Sequence, residues 1–236
     1  MIKRMNLLPL LSAVLFVGVA GCATTKMTNR QQLVTGQLPR PEHIWVYDFA
    51  ATAADVPAAS TIASQYSATP QTAEQVALGR QLGAQIAAEL VEEIRAMGLP
   101  AARAGAGTIP QINDIVLQGY LLSVQQGNEA ERLAIGFGAG ASELRTAVEG
   151  YQMTAQGPRK LGSGTLDSGG SKGPGAAVGI AGLIATGNPA GLIISTGMKV
   201  YGEESGSSKV EGRAKQTAKE IADVLKQRFQ QQGWIQ

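Results

Sequence analysis

Residues 142–153 read Ser-Glu-Leu-Arg-Thr-Ala-Val-Glu-Gly-Tyr-Gln-Met, and their alternation of side-chain types is the main indication of the fold class. One face would carry Glu143, Arg145, Ala147, Glu149 and Tyr151, and the other Leu144, Thr146, Val148 and Gly150. Successive side chains of a strand point to opposite faces of a sheet, so the stretch predicts a strand. Further strands are predicted at 44–49, 115–124, 132–135 and 160–166. Because short turns separate the later strands, we expect a mostly antiparallel sheet.

Two amphipathic helices should pack on this sheet. Thr72 and Gln75 form a capping-box pattern before an apolar stripe, and Gly98 and Pro100 would end that helix. The stripe consists of Val76, Gly79, Leu82, Gly83, Ile86, Leu90, Ile94 and Met97. A second amphipathic helix is predicted at 208–232, near the C-terminus. The fold class is therefore α/β (α+β): a mostly antiparallel sheet with packed helices.

A glycine-rich segment, residues 173–202, is the most unusual part of the chain. Its first 26 residues, 173–198, carry no charge, and Pro189 interrupts them, which predicts two short helices or one kinked helix. Small residues recur four apart at Gly175 and Gly179, and at Gly187 and Gly191. Such spacing permits close helix packing. The segment is either a membrane-inserted or oligomer-forming hairpin, or a helical pair covering the sheet; each half is too short to span a bilayer alone.

The N-terminus is predicted to carry a targeting signal. Residues 1–21 have basic residues near the start, an apolar run at 7–19 and small residues before Cys22, as in a secretory signal peptide. The run is shorter than the roughly 20 residues of a transmembrane helix. The string Val19-Ala20-Gly21-Cys22 resembles a bacterial lipobox, whose cysteine is acylated, for example with palmitate. Ala23 resembles the residue that permits sorting to the outer membrane. We expect a lipid-anchored protein of the outer membrane with its domain in the periplasm.

Maturation at Cys22 would change the chemistry of the chain. Cys22 is the only cysteine, so its acylation would exclude disulfides and thiolate sites. Loss of Lys3 and Arg4 lowers the number of Lys and Arg residues from 20 to 18, which equals the 18 Asp and Glu residues. A neutral chain without a basic cluster does not favour binding of nucleic acid. Polar residues 22–41 are predicted to be a lipidated N-terminus with a flexible tether, and 42–236 a single periplasmic domain.

Three patterns are typical of catalytic, cofactor or metal sites, and none has the neighbouring residues that such a site requires. Gly136 and Gly138 begin a relaxed dinucleotide fingerprint, but a strand pattern follows where a helix is required. Ser171 lies in a nucleophile-elbow string, although the single histidine, His43, precedes it in the chain. His43 alone does not make a metal site. We expect no catalytic residue, no metal and no cofactor other than the covalent lipid on Cys22.

Several strings together resemble the bacterial lipoproteins grouped as domain of unknown function 4410. They are VYDFAATAADVP from Val46, AIGFGAGASELRT from Ala134, GSGTLDSGGSKGPG from Gly162, ATGNPAGLI from Ala185 and EGRAKQTAKEIAD from Glu211. The resemblance implies an envelope lipoprotein, without assigned catalytic residues. The layout of strands and helix is more loosely similar to the periplasmic domain of the curli secretion channel subunit.

These patterns favour a non-catalytic protein that binds envelope proteins or associates with itself, besides its contact with membrane lipid. The alternatives are an oligomeric subunit of a secretion or pore assembly and, more remotely, an envelope serine hydrolase using Ser171. A functional surface around the long loop after the first strand is predicted from Asp48, Asp55, Gly136, Gly138, Gly140 and Arg145.

Overall fold

The computed structural model describes residues 26–56, 60, 72–125, 143–169, 193–195 and 210–236. Two long helices pack against a sheet: α1 covers Ala73–Ala96 and α2 covers Val210–Gln231. The described strands are β1 (Lys26–Gln32), β2 (Ile44–Val46), β3 (Ala101–Arg103), β4 (Ile115–Gln125), β5 (Glu143–Thr154), β6 (Gly157–Gly169) and β7 (Ile193–Ser195). A short 3-10 helix at Ala53–Asp55 lies in the chain between β2 and α1.

The strands form one sheet in the order β1-β6-β5-β4-β2-β3, and β7 also pairs with β4. The long ladders of β1 with β6, β6 with β5 and β5 with β4 are antiparallel. The short pairs of β2 with β3, β2 with β4 and β4 with β7 are parallel. Since α1 connects β2 to its parallel neighbour β3, these three elements form a βαβ unit. The predicted fold class is confirmed, including the C-terminal helix.

The main core lies between the sheet and the two helices. Leu117 and Leu144 of the sheet belong to one apolar cluster with Ile86 and Ile94 of α1 and Ile221 of α2, all of them buried. Leu144 lies on the apolar face that the alternation at 142–153 predicts. Fully burying one such side chain stabilises a fold by about 1.5–3 kcal/mol. This cluster therefore holds both helices on the same face of the sheet.

The boundaries of α1 are as predicted. The Gln75 backbone N–H donates to Thr72 Oγ1 at 3.3 Å, and the Thr72 N–H donates to Gln75 Oε1 at 2.9 Å, which completes the capping box. At the other end, Gly98 has a φ of 81°, and its N–H donates to the Arg95 carbonyl oxygen at 2.9 Å. A left-handed residue after the last turn favours glycine, because a β-carbon there is strained.

The chain after β2 crosses closely over α1 and β4. The strand predicted at 44–49 ends at Val46, and Phe49 is instead buried, with its N–H donating to the Gly83 carbonyl oxygen at 3.2 Å. A β-carbon at Gly83 would lie 2.0 Å from the Phe49 carbonyl oxygen, and one at Gly119 would lie 2.1 Å from the Phe49 ring. Both glycines are therefore needed for this close approach.

The predicted tether over residues 22–41 is wrong from Lys26 onward, because residues 26–32 form β1 at the edge of the sheet. After β1 the chain contacts the end of α2: the Leu38 N–H donates to Gln232 Oε1 at 2.6 Å, and Trp234 Nε1 donates to the Leu38 carbonyl oxygen at 3.1 Å. An edge strand can keep polar side chains exposed while its backbone bonds to one neighbour. The segment consequently lacks the apolar alternation by which strands are predicted.

The helices predicted for residues 173–202 are wrong at Ile193–Ser195, which form β7. This strand pairs with β4 at residues 123–125, whereas β2 pairs with β4 at residues 115–117. The short β2 leaves the rest of that β4 edge open for another strand. The remainder of the segment lies outside the described residues.

Candidate functional site

The sheet face opposite the main core carries a buried polar cluster around Glu149. Val148 belongs to the core beneath the helices, so its neighbour Glu149 points to the other face. The side chain of Glu149 is fully buried. Its Oε1 accepts a hydrogen bond from Lys160 Nζ at 2.5 Å. Its Oε2 accepts from the hydroxyl groups of Ser60 at 2.7 Å, Tyr151 at 2.9 Å and Tyr120 at 3.1 Å.

The donors around Glu149 keep its carboxylate ionised. Burial alone would raise the pKa of Glu149, but the hydrogen bonds from Lys160, Ser60 and Tyr151 and the charge of Lys160 outweigh it and hold the pKa below its usual value. Burial, with the neighbouring carboxylate, raises the pKa of Tyr120, which therefore stays protonated and donates. An enclosed carboxylate that accepts from these donors holds chain segments together, in this case Ser60 to β4, β5 and β6.

A second buried carboxylate, Asp114, organises the start of β4. Only 1% of its surface is exposed. Its Oδ2 accepts from Trp45 Nε1 at 2.8 Å and from the Gln111 backbone N–H at 2.8 Å, and its Oδ1 accepts from the His43 backbone N–H at 3.2 Å. The His43 ring stacks on Trp45 with 5.3 Å between the ring centroids. Asp114 therefore joins the loop before β4 to the start of β2.

That loop, residues 104–113, presents two isoleucines to solvent, and we call it the isoleucine loop. Ile109 is 78% exposed and Ile112 is 62% exposed, although both are large apolar residues. Internal hydrogen bonds define the loop: the Gly105 N–H donates to Thr108 Oγ1 at 2.8 Å, and Gln111 Nε2 donates to the Ile109 carbonyl oxygen at 3.0 Å. No residue of the loop is charged.

The other end of the isoleucine loop is bound to β5. Asn113 adopts a left-handed conformation with a φ of 75°, which asparagine tolerates better than most residues. Its N–H donates to the Met153 carbonyl oxygen at 2.9 Å, and its Oδ1 accepts from Gln152 Nε2 at 3.3 Å. The loop is thus a well-defined apolar protrusion at one end of the sheet.

Comparison with known proteins gives a family for this fold. The model of the family described as "Domain of unknown function (DUF4410)" matches residues 44–187, which is more than half of the chain. The chain belongs to the DUF4410 family. The match includes the Glu149 cluster and the isoleucine loop, whereas β1, β7 and α2 lie outside it. The resemblance to domain of unknown function 4410 is thereby confirmed.

Solved structures show a weak similarity. The DUF4410 chain is similar to a dodecamer of PelC from Paraburkholderia phytofirmans with 17% identity and a TM-score of 0.34, over 62% of this chain and 79% of that one. A second crystal form of the PelC dodecamer gives 15% identity and a TM-score of 0.33, over 64% and 85% of the two chains. Among curated proteins, no match was found.

The predicted surface residues that the structure describes, Asp48, Asp55 and Arg145, bind separate partners instead of one another. Asp48 is exposed and accepts from Arg103 Nε at 3.1 Å, which joins the segment after β2 to β3. Arg145 Nε lies 2.8 Å from Asp167 Oδ1 across the β5–β6 ladder, and the two residues form an ion pair. Burial raises the pKa of Asp167 and Arg145 opposes that rise.

Asp55 stabilises the segment between β2 and α1. Its Oδ1 lies 2.8 Å from Arg80 Nη2 of α1, and its Oδ2 accepts from the Thr52 N–H at 3.1 Å. Partial burial would raise the pKa of Asp55, but Arg80 and Thr52 outweigh burial and lower it. The pair ties the 3-10 helix to α1.

The remaining predicted site residues lie outside the described residues. They are Cys22, Ala23, Gly136, Gly138, Gly140, Ser171, Gly175, Gly179, Gly187 and Gly191. In the described part of the DUF4410 chain, no three residues among His, Cys, Asp and Glu are grouped so that they could bind a metal ion. Nor does either described helix, α1 or α2, have an apolar stretch long enough to span a bilayer.

The two buried carboxylates were not predicted as site residues. The alternation at 142–153 places Glu149 beside Arg145 and Tyr151, but it does not show that this face is buried. The signal for the buried cluster is the carboxylate of Glu149 within a strand that pairs with the strand of Tyr120. For Asp114, the signal is its position directly before the apolar run of β4.

Proposed function

We propose that the mature chain is a non-catalytic outer-membrane lipoprotein, anchored through Cys22, that binds envelope proteins or further copies of itself through the isoleucine loop. The observation that carries this proposal is the exposure of Ile109 and Ile112 on a hydrogen-bonded loop. An isolated exposed apolar residue is ordinary, whereas two on one ordered protrusion favour an interface. Preorganisation lowers the entropy that the loop would lose on binding.

The chemistry of the loop indicates what the partner surface should offer. Residues 104–113 are uncharged, so the partner surface need not supply charge and should supply an apolar pocket. Pro110 between the two isoleucines further restricts the backbone. Burying one isoleucine side chain contributes about 1.5–3 kcal/mol before the costs of association. Two of them contribute about 3–6 kcal/mol, so other contacts of the loop must add to them before the costs of association are exceeded.

The anchor rests on the lipobox-like string that ends at Cys22 and on Ala23 after it. β1 begins at Lys26, four residues after Cys22. Four extended residues span at most about 14 Å. An acylated Cys22 would therefore keep the β1 edge of the sheet close to the bilayer surface, nearer than a tether of 20 residues would.

The non-catalytic role is supported by the partners of the buried carboxylates. Asp114 and Glu149 accept hydrogen bonds from donors of the fold itself, and both are enclosed. A general base must reach a substrate proton, directly or through one water. Within the described residues, these two carboxylates serve packing.

Crosslinking in intact envelopes tests the interface. The double variant Ile109→Ser/Ile112→Ser should lose the crosslinked partners that the unsubstituted chain captures, while Leu33→Ser, which alters a 56% exposed residue after β1, should retain them. Light scattering after size-exclusion chromatography would separate a second copy from a different protein. An unchanged crosslinking pattern in the double variant would refute the role of the loop.

The anchor needs its own experiment. Cys22→Ala should abolish metabolic labelling with a lipid precursor and release the protein from the outer-membrane fraction. Labelling that persists in Cys22→Ala would overturn the lipoprotein proposal.

A further inference from the structure

An apolar cavity of about 130 Å³ lies between the sheet and the C-terminal half of α2. Met27 of β1, Leu161 of β6, and Leu225 and Phe229 of α2 contribute to its wall, with Trp234 after the helix. Met27, Leu161 and Leu225 are only partly buried, so the cavity opens to solvent along the β1 edge.

Three strand glycines line the cavity. They are Gly150 of β5 and Gly162 and Gly164 of β6. At Gly162 and Gly164 a β-carbon would meet β1, 2.5 Å from the Gln31 carbonyl oxygen and 2.7 Å from Met27 Sδ, so of the three only Gly150 has space beside it. A β-carbon at Gly150 would make an ordinary contact of 3.5 Å with Leu117. The position therefore accepts a β-carbon, and an empty apolar cavity beside it forfeits the packing energy that a larger side chain would supply.

Two arginines line the cavity. Arg30 and Arg228 are among its lining residues, and these include no Asp or Glu within the described part of the chain. The Arg228 guanidinium donates to the neutral Val34 carbonyl oxygen at 3.1 Å and to Gln231 Oε1 at 2.8 Å. Partial burial and, secondarily, the charge of Arg30 lower the pKa of Arg228. An anion between the two guanidinium groups would relieve their repulsion.

We propose that this cavity binds a single-chain anionic amphiphile of the fatty-acid class, with its alkyl chain among the apolar residues and its carboxylate at Arg30 and Arg228. An apolar cavity of about 150 Å³ in another protein stays dry and binds benzene, so this one accepts an alkyl segment of comparable size. The rest of the chain follows the open side past Val34. Arginine binds carboxylates in a bidentate manner, which fixes the orientation of the ligand. The site depends neither on acylation of Cys22 nor on the isoleucine loop.

Photoaffinity labelling of the full chain in nanodiscs of zwitterionic lipid tests the site. The probe is palmitic acid that carries a diazirine and an alkyne, and the labelled peptides are mapped by mass spectrometry. Labelling should be saturable and concentrated in the tryptic peptides 220–226 and 229–236 of the α2 region. Palmitic acid should compete at about tenfold lower concentration than hexadecanol, because only the acid forms charge-assisted hydrogen bonds.

Two kinds of variant separate the chain from the headgroup. Gly150→Val should fill the cavity and abolish labelling of both peptides, with Leu225→Phe as a second filling variant if Gly150→Val does not fold. Arg30→Gln/Arg228→Gln should make palmitic acid and hexadecanol equal competitors. The matched control Arg40→Gln, whose guanidinium donates to the Gly98 carbonyl oxygen away from the cavity, should keep the preference for the acid. Labelling that is unchanged in a folded filling variant, or equal competition in the unsubstituted chain, would overturn the proposal.

Discussion

Replacing Lys160 by Met should destabilise the fold through Glu149. Glu149 is fully buried, Lys160 is 19% exposed, and the two charged groups are 2.5 Å apart. Breaking a buried pair by removing one partner costs about 3–5 kcal/mol, because the other charge is left uncompensated. Ser60, Tyr120 and Tyr151 would still donate to Glu149, so we expect the lower end, about 3 kcal/mol. A loss of this size lowers Tm by about 6–12 °C in a domain of 150–250 residues.

In Lys160→Met, the contribution of Glu149 to the pH dependence of stability should also reverse. In the unsubstituted protein the pKa of Glu149 is lower in the folded than in the unfolded state. The stability contributed by this group is therefore present above the unfolded pKa and is lost as pH falls through the folded pKa. Without Lys160, burial should raise the folded pKa above the unfolded value of about 4.3. The variant should then become more stable as pH falls from neutral toward that value, since its folded state binds the proton first.

Urea unfolding between pH 4 and 8 measures both effects. Lys215→Met, at an exposed position of α2, is the matched control and should change the free energy of unfolding by less than about 0.5 kcal/mol. The double variant Glu149→Gln/Lys160→Met removes the orphaned charge and should recover part of the loss. A loss below about 1 kcal/mol in Lys160→Met, with the pH slope of the unsubstituted protein, would refute the reasoning.

Gly83→Ala should lower the free energy of unfolding by about 1–3 kcal/mol, because the new β-carbon meets the Phe49 carbonyl oxygen. Gly→Ala within a helix ordinarily stabilises a protein, so a rise in Tm would contradict the close approach. Thr72→Ala should cost about 1 kcal/mol in urea unfolding through the lost cap of α1, and no loss would mean that the cap is unimportant. Asp114→Ala should cost about 2–3 kcal/mol and shift tryptophan emission, because Trp45 Nε1 and two backbone N–H groups lose their acceptor. An unchanged spectrum would show that Trp45 does not depend on this carboxylate.

Local patterns predicted most elements of the fold. The capping box at Thr72 and the alternation at 142–153 each depend on residues close in sequence, and both α1 and β5 follow them. The patterns failed where a neighbouring strand decides the structure. β1 and β7 are stabilised by backbone pairing with β6 and β4, respectively, and neither has a side-chain period that distinguishes it.

The candidate sites were less predictable than the elements. Asp48, Asp55 and Arg145 have the charged side chains of a functional surface, but each one binds a partner from another element. The isoleucine loop was not predicted, because the exposure of Ile109 and Ile112 depends on how Asp114 and Asn113 hold the loop. Apolar residues in a sequence do not by themselves reveal whether the fold covers them.

The fold class, the capped helix and the alternating strand could be predicted from the sequence, because side-chain period and capping are properties of adjacent residues. The assembled fold was needed to show that Glu149 is buried with Ser60, 89 residues earlier in the chain, and that Arg30 and Arg228 line one apolar cavity. Burial and charge pairing depend on which distant segments meet. Strand order and helix packing determine which segments come into contact, so the Glu149 cluster and the cavity form only when the sheet is assembled.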